Sequence, residues 1–368
     1  MTCVPGAASA VGLEERKGMP RLVGIVSAPP PHVVTQAMAA GFARDMFGPR
    51  LPGLERVMPV FDHAGIETRR TVQPPDWYLQ PRSFAEANEA YIRHATTLCA
   101  EASSRLLTRH GVAPDAIDRI VYVNSTGLAT PSIDARLANV LGLRRQVRRT
   151  PMWGLGCAGG AAGLAHAYEH LRGHPRDRVL LCAAEFCSLT FVREDASAAN
   201  IVATALFGDG AAAALLCGDE VESDGLEIVA AQSTLYPDSL DIMGWSVQTH
   251  GLQVVFDRRI PQLVRDEAAA ELSGFLARHG LEPGDVAEWL YHPGGPRVLE
   301  AYAEAYRLPV DRWAWSLDVL RRHGNMSSVT LLYVLEAYLA AHRPSRRAWG
   351  VASALGPGFS SELLLFRI

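Results

Sequence analysis

Lysine is nearly absent from this chain of 368 residues. Lys17 is the only one, so arginine supplies the other 34 of the 35 basic side chains. That bias is expected of a GC-rich genome, and so of a bacterium. It also excludes chemistry. A Walker-type phosphate loop, a pyridoxal Schiff base and a lysine-attached carrier group each need a lysine inside a structured motif. Lys17 instead lies in a polar leader, residues 1–20, expected to be loose. The six cysteines show no Cys-x-x-Cys or Cys/His spacing suited to zinc, and no metal is expected. Apolar runs long enough to span a membrane are missing, as is a basic start followed by an apolar stretch, so a cytoplasmic protein without a membrane span is expected. With a net charge of -4, a nucleic-acid surface is not expected either.

What is present reads as a soluble enzyme: 48% hydrophobic and 20% charged residues, in a chain long enough for a large core. Buried strands are expected at Arg21–Ser27, Arg119–Ser125, Arg178–Glu185, Leu226–Ser233, Gly251–Phe256 and Trp289–His292, with closing strands near Trp349 and Glu362–Phe366. Between them fall helical patterns at Ser83–His110, Ser132–Leu143 and Ile260–His279, and after Pro293 and Ser327. Alternating strands and helices point to α/β architecture with covered sheets. Two similar halves without a linker suggest one fused body, 21–220 and 221–368, joined around Glu220.

Three polar residues stand in glycine-marked settings. Cys157 lies in Trp153-Gly-Leu-Gly-Cys157-Ala-Gly-Gly160, ahead of a small-residue helix whose N-terminus should favour a thiolate. His292 ends a strand in Tyr291-His-Pro-Gly-Gly-Pro296. Asn325 stands in Arg322-His-Gly-Asn-Met-Ser-Ser328, before a helix. Taken singly, each has a plain structural explanation: a buried cysteine, a histidine bonded to backbone, an asparagine cap. Together they form a Cys/His/Asn set with two uses, papain-like hydrolysis or decarboxylative Claisen condensation on thioesters. The Cys-Gly-Ser-Cys-Trp surroundings of the first are absent.

Gly-Cys157-Ala-Gly-Gly, Ala205-Leu-Phe-Gly-Asp-Gly-Ala211, His292-Pro-Gly-Gly-Pro296, Gly324-Asn-Met-Ser-Ser328 and Gly356-Pro-Gly358 occur in the order seen in chalcone synthase-like type III polyketide synthases. From about Phe61 to its end the chain resembles that family. The resemblance implies a thiolase fold, five-layered αβαβα from two similar halves, and a homodimer. It further implies that Cys157 takes an acyl group from coenzyme A, its thiolate paired with His292. His292 and Asn325 then donate to the thioester oxygen of malonyl-CoA as carbon dioxide leaves. No cofactor beyond coenzyme A thioesters is implied. Phe207 matches the gatekeeper between coenzyme A tunnel and cavity. Thr126, Thr130, Cys187, Thr190, Val254 and Ser327 match cavity positions, with the Gly356-Pro357-Gly358 loop beside them. Arg56 and His63 match basic positions at the tunnel mouth.

Met243-Gly-Trp245 and Phe61-Asp-His-Ala-Gly-Ile-Glu-Thr-Arg69 look more like bacterial alkylpyrone and alkylresorcinol synthases. Those segments imply a fatty acyl-CoA starter, two or three malonyl units and closure to a pyrone or resorcinol. Other readings are an aromatic or short starter, a ketoacyl synthase of the fatty-acid initiating kind, a cysteine hydrolase, and a silent relative. His-Pro-Gly-Gly-Pro speaks against the ketoacyl synthase, which resembles His-Gln-Ala-Asn there, and the intact set speaks against silence.

Overall fold

The computed structural model describes residues 18–249, 251–341 and 348–368. Lys17 and the leader before it lie outside the described residues.

Nine strands form one mixed sheet. Its order is 286–291, 349–356, 360–367, 226–235, 21–27, 209–217, 178–186, 119–124 and 148–153. Each end of the sheet is parallel and its middle is antiparallel. The two arms meet where Arg21 and Leu22 pair with Glu227 and Leu226, a contact only two residues long. Beyond that seam the arms fold over two central helices, Gly159–Gly173 and Ser328–Ala341, which touch strands of both. Ser328–Ala341 is mostly apolar and buried along its first two turns, as a helix enclosed by layers must be.

Three apolar clusters make the layers explicit. One surrounds the two central helices and draws on both arms. A second lies under the outer helix Phe84–Arg109, which opens with a Ser83/Glu86 capping box. The third packs Ile260–Ala277 and Pro296–Tyr306 against the other arm. Helix, sheet, helices, sheet, helices is the five-layered thiolase arrangement.

The expected strands and helices form, with ends shifted by a few residues. Several elements escape sequence patterning, among them Thr68–Thr71, Ala198–Leu206 and Met243–Gln248, and two show why. The edge strand Arg148–Trp153 alternates exposed and half-buried residues instead of running apolar. The helix Gln36–Phe47, capped by Thr35, buries only a narrow stripe.

Candidate active site

The turn that carries Cys157 is held by close packing. Cys157 occupies a single helical turn, Gly156–Ala158, directly ahead of the helix Gly159–Gly173. A side chain at Gly160 would sit 2.2 Å from the Ser328 carbonyl oxygen, so only glycine lets the two central helices approach this closely. That approach places Cys157 beside the segment Asn325–Ser328. Cys157, His292 and Asn325 line one small chamber with Met243, Phe256 and Leu355. All three are buried.

His292 follows the strand Val286–Tyr291, its N–H bonded to the Ser353 carbonyl at 2.7 Å. Neither ring nitrogen has a partner among the described residues. Such an omission costs about 1–3 kcal/mol for a buried polar group, so it calls for a function. Burial alone drives its pKa down to about 3, which leaves a neutral imidazole with one N–H to donate and one lone pair. Asn325 is held on both sides. Its Nδ2 donates to the Gly294 carbonyl at 3.1 Å, and its Oδ1 accepts from the Ser327 N–H at 2.8 Å. The helix begins only at Ser328, so this side chain is not a simple cap. It bridges the Gly294 and Ser327 segments, and it also reaches the Cys157 thiol.

Burial also pushes the Cys157 thiol up to about 12, outweighing contacts with Ser327 and Asn325 that pull it down. The expected net lowering by the helix N-terminus is therefore corrected: desolvation wins, and in the resting site thiol and imidazole are each favoured neutral.

A second chamber on the other side of Cys157 is lined by Ser125, Cys187, Phe207, Trp245, Val254, Ser327 and Pro357. Cys187, Phe207, Trp245 and Val254 also line a larger, half-open cavity. Its remaining walls are mostly apolar, including Val34, Met38, Ala39, Phe42, Phe191 and Ala203, with Thr190 among the polar ones. Phe207 thus borders both the Cys157 chamber and a mostly apolar cavity.

Other expected site residues lie elsewhere. Thr126 lines neither chamber, because its hydroxyl donates to Glu185 Oε2 at 2.7 Å and accepts from the Phe186 N–H. Its neighbour Ser125 forms the wall instead. Thr130 is exposed, as are Arg56 and His63 on the short helices Leu54–Arg56 and Pro59–His63. Gly356 and Gly358 shape the wall rather than line it: Gly356 backs onto Ala158, and Gly358 adopts a φ of 135° beside Leu235.

Sequence reasoning missed Glu185 and Arg69. Glu185 is fully buried and accepts from the Ser125 N–H and from the hydroxyls of Ser125, Thr126 and Ser328. It pins the chamber wall to the start of the central helix. The one available signal was its place at the end of an apolar strand.

Family models for chalcone and stilbene synthases match the chain twice, the N-terminal domain at residues 76–220 and the C-terminal domain at 227–368. A putative chalcone synthase of Bacillus subtilis is 40% identical over 356 residues, covering 94% of this chain and 98% of the relative. A 1,3,6,8-tetrahydroxynaphthalene synthase of Streptomyces peucetius is 40% identical over 351 residues, covering 94% and 92%. The crystal structure of 1,3,6,8-tetrahydroxynaphthalene synthase from Streptomyces coelicolor superposes with a TM-score of 0.90 at 28% identity, covering 94% of this chain and 99% of that one. With both family domains matched and a fold shared across almost its whole length, the chain belongs to the chalcone and stilbene synthase family, and is an acyltransferase of the type III polyketide synthase class.

Proposed function

We propose that the protein loads a fatty acyl group from coenzyme A onto Cys157, extends it with malonyl-CoA and closes it to a pyrone or resorcinol-type product. The observation that carries this reading is Cys157 lining two chambers at once: one shared with Asn325 and with a His292 whose ring has no partner among the described residues, the other bordered by Phe207, which also lines a mostly apolar cavity.

With both groups neutral at rest, the Cys157 proton passes to His292 as sulfur attacks the acyl-CoA carbonyl. The tetrahedral centre collapses, and coenzyme A leaves as its thiol with that proton. His292, neutral again, and Asn325 then each donate to the thioester oxygen of malonyl-CoA. The bond to the carboxylate breaks, carbon dioxide departs, and its electron pair moves onto the thioester as an enolate held by the two donors. The enolate carbon attacks the acyl carbon on Cys157, and the sulfur leaves as thiolate, ready for the lengthened chain.

The apolar walls supplied by Met38, Phe42, Phe191 and Ala203 favour a hydrocarbon starter. Arg56 and His63 meet the coenzyme A phosphates at the surface. The short helix carrying His63 packs against Ala198–Leu206, a helix that lines this cavity. The halves 21–220 and 221–368 contribute the nucleophile and the oxyanion donors respectively, and the enzyme works as a cytoplasmic homodimer without a cofactor of its own.

A second reading takes malonyl-CoA alone as substrate and a naphthalene as product, favoured by the name of the Streptomyces peucetius relative. One experiment separates them. Purified protein is incubated with labelled malonyl-CoA, with and without acyl-CoAs of graded length, and products are identified by mass spectrometry. Alkylated pyrones or resorcinols that need a long acyl-CoA support the first reading. A tetrahydroxynaphthalene from malonyl-CoA alone replaces it with the second.

A further inference from the structure

We infer that Arg69 is a positioning residue that sets both the Phe207 gate and the Asn325 oxyanion donor through the end of one helix. The inference rests on the reading that Asn325 serves malonyl-CoA.

Arg69 lies in the strand Thr68–Thr71 and is almost wholly buried. Burial lowers its pKa to about 10, and the nearby Asp209 opposes that shift, so it stays a cation at neutral pH. The reason to bury a cation here is the C-terminus of the helix Ala198–Leu206. The last carbonyls of a helix lack internal partners, and that end carries partial negative charge. Arg69 Nη1 donates to Thr204 O at 2.8 Å and to Phe207 O at 3.0 Å, and Nη2 donates to Ala205 O at 2.8 Å. Gln36 Oε1 accepts from Nη2 and orients the guanidinium, while Gln36 Nε2 donates to the same Ala205 carbonyl at 3.2 Å.

The one carbonyl left over, that of Leu206, accepts from the Asn325 N–H at 2.9 Å, and the Gly208 N–H donates to the Asn325 carbonyl at 2.9 Å. Phe207 and Asn325 are thereby joined as an isolated β-bridge. The Arg69 β-carbon lies against both flanking glycines: a β-carbon added at Gly208 or Gly324 would come within 3.2 Å or 3.5 Å of it. Arg69 therefore fixes a helix end that carries the gate, and the gate's backbone fixes the donor. The Cys157 backbone is seated separately, its turn packing on Gly356 and the central helices, and it meets this chain of contacts only where its thiol reaches the Asn325 side chain.

That separation gives a test that a merely structural role would not pass. Arg69→Lys keeps the charge but loses the planar fork that reaches three carbonyls. Two half-reactions are measured on folded protein: acylation of Cys157 by intact-mass spectrometry, and carbon dioxide release from labelled malonyl-CoA. Acylation is expected to stay within about threefold of wild type. Decarboxylation is expected to fall about 10- to 100-fold, the scale of a catalytic group displaced by around an ångström. Gln36→Leu, which removes the orienting acceptor, is expected to show the same split at smaller amplitude and serves if Arg69→Lys does not fold. Equal losses in both half-reactions, or no loss in either, would overturn the inference. A wild-type protein that neither acylates nor decarboxylates would instead overturn the functional reading beneath it.

Discussion

Gly356→Ala adds one methyl group where the fold leaves no room for it. Gly356 ends the strand Trp349–Gly356, and a β-carbon there would lie 2.5 Å from the Ala158 β-carbon, 2.5 Å from the Leu155 carbonyl oxygen and 3.0 Å from the Ala158 nitrogen. Non-bonded carbons prefer about 3.5–4.0 Å, so the two backbones must part by roughly an ångström. The strand cannot give way cheaply, because Gly356 is paired with Ser360 in a ladder that continues to Arg367. The nucleophile turn must move instead, and Cys157 lies between Leu155 and Ala158. Overpacking of this kind costs about 1–3 kcal/mol, and an ångström of misplacement costs on the order of 100-fold in rate. The expected outcome is a fall of about 100-fold in acyl-CoA loading of Cys157, followed by intact mass, with a loss of about 1–3 kcal/mol in urea unfolding. Gly274→Ala is the control. Its added methyl meets nothing within 4 Å inside the helix Ile260–Ala277, so it is expected to leave loading unchanged and to stabilise by about 0.5–1 kcal/mol. Wild-type loading and an unshifted urea midpoint for Gly356→Ala would refute the packing argument.

Asn325→Ala removes one of two oxyanion donors, so malonyl-CoA decarboxylation is expected to fall by about 10²–10³-fold while starter loading persists. Normal carbon dioxide release would reduce Asn325 to a loop bridge. Burial raises the Cys157 thiol to about 12, so raising the pH from 7 to 9 stays below that value and increases the thiolate fraction about tenfold per unit. Alkylation of Cys157 by iodoacetamide, mapped by peptide mass, should rise in step. A rate independent of pH over that range would mean that the proton already rests on His292. Val254 borders both the Cys157 chamber and the apolar cavity, so Val254→Phe is expected to narrow the junction. Loading from long acyl-CoA should drop at least about tenfold relative to acetyl-CoA, on the scale of overpacking of about 1–3 kcal/mol. Equal effects on both starters would argue against an acyl path past Val254.

The parts of this site that were legible in the sequence are those whose chemistry demands an unusual local backbone. Cys157, His292 and Asn325 each sit beside glycines because a reactive group must be approached closely, and that need is written within a few residues of each. The apolar strands were equally plain, since burial on both faces leaves a continuous run. Thr126 shows where local reading stops: its hydroxyl, expected at the cavity, is taken by Glu185, a residue 59 positions away. The burial of Cys157, the largest cause raising its thiol, is also a property of the assembled layers that a local segment does not show. Arg69 marks the limit most clearly. Its partners are backbone carbonyls of Thr204, Ala205 and Phe207, groups that every residue carries alike. An arginine that binds side chains can leave a matching acid in the sequence. One that caps a helix leaves no matching residue at all, and nothing sets Arg69 apart from the other arginines until the chain is folded.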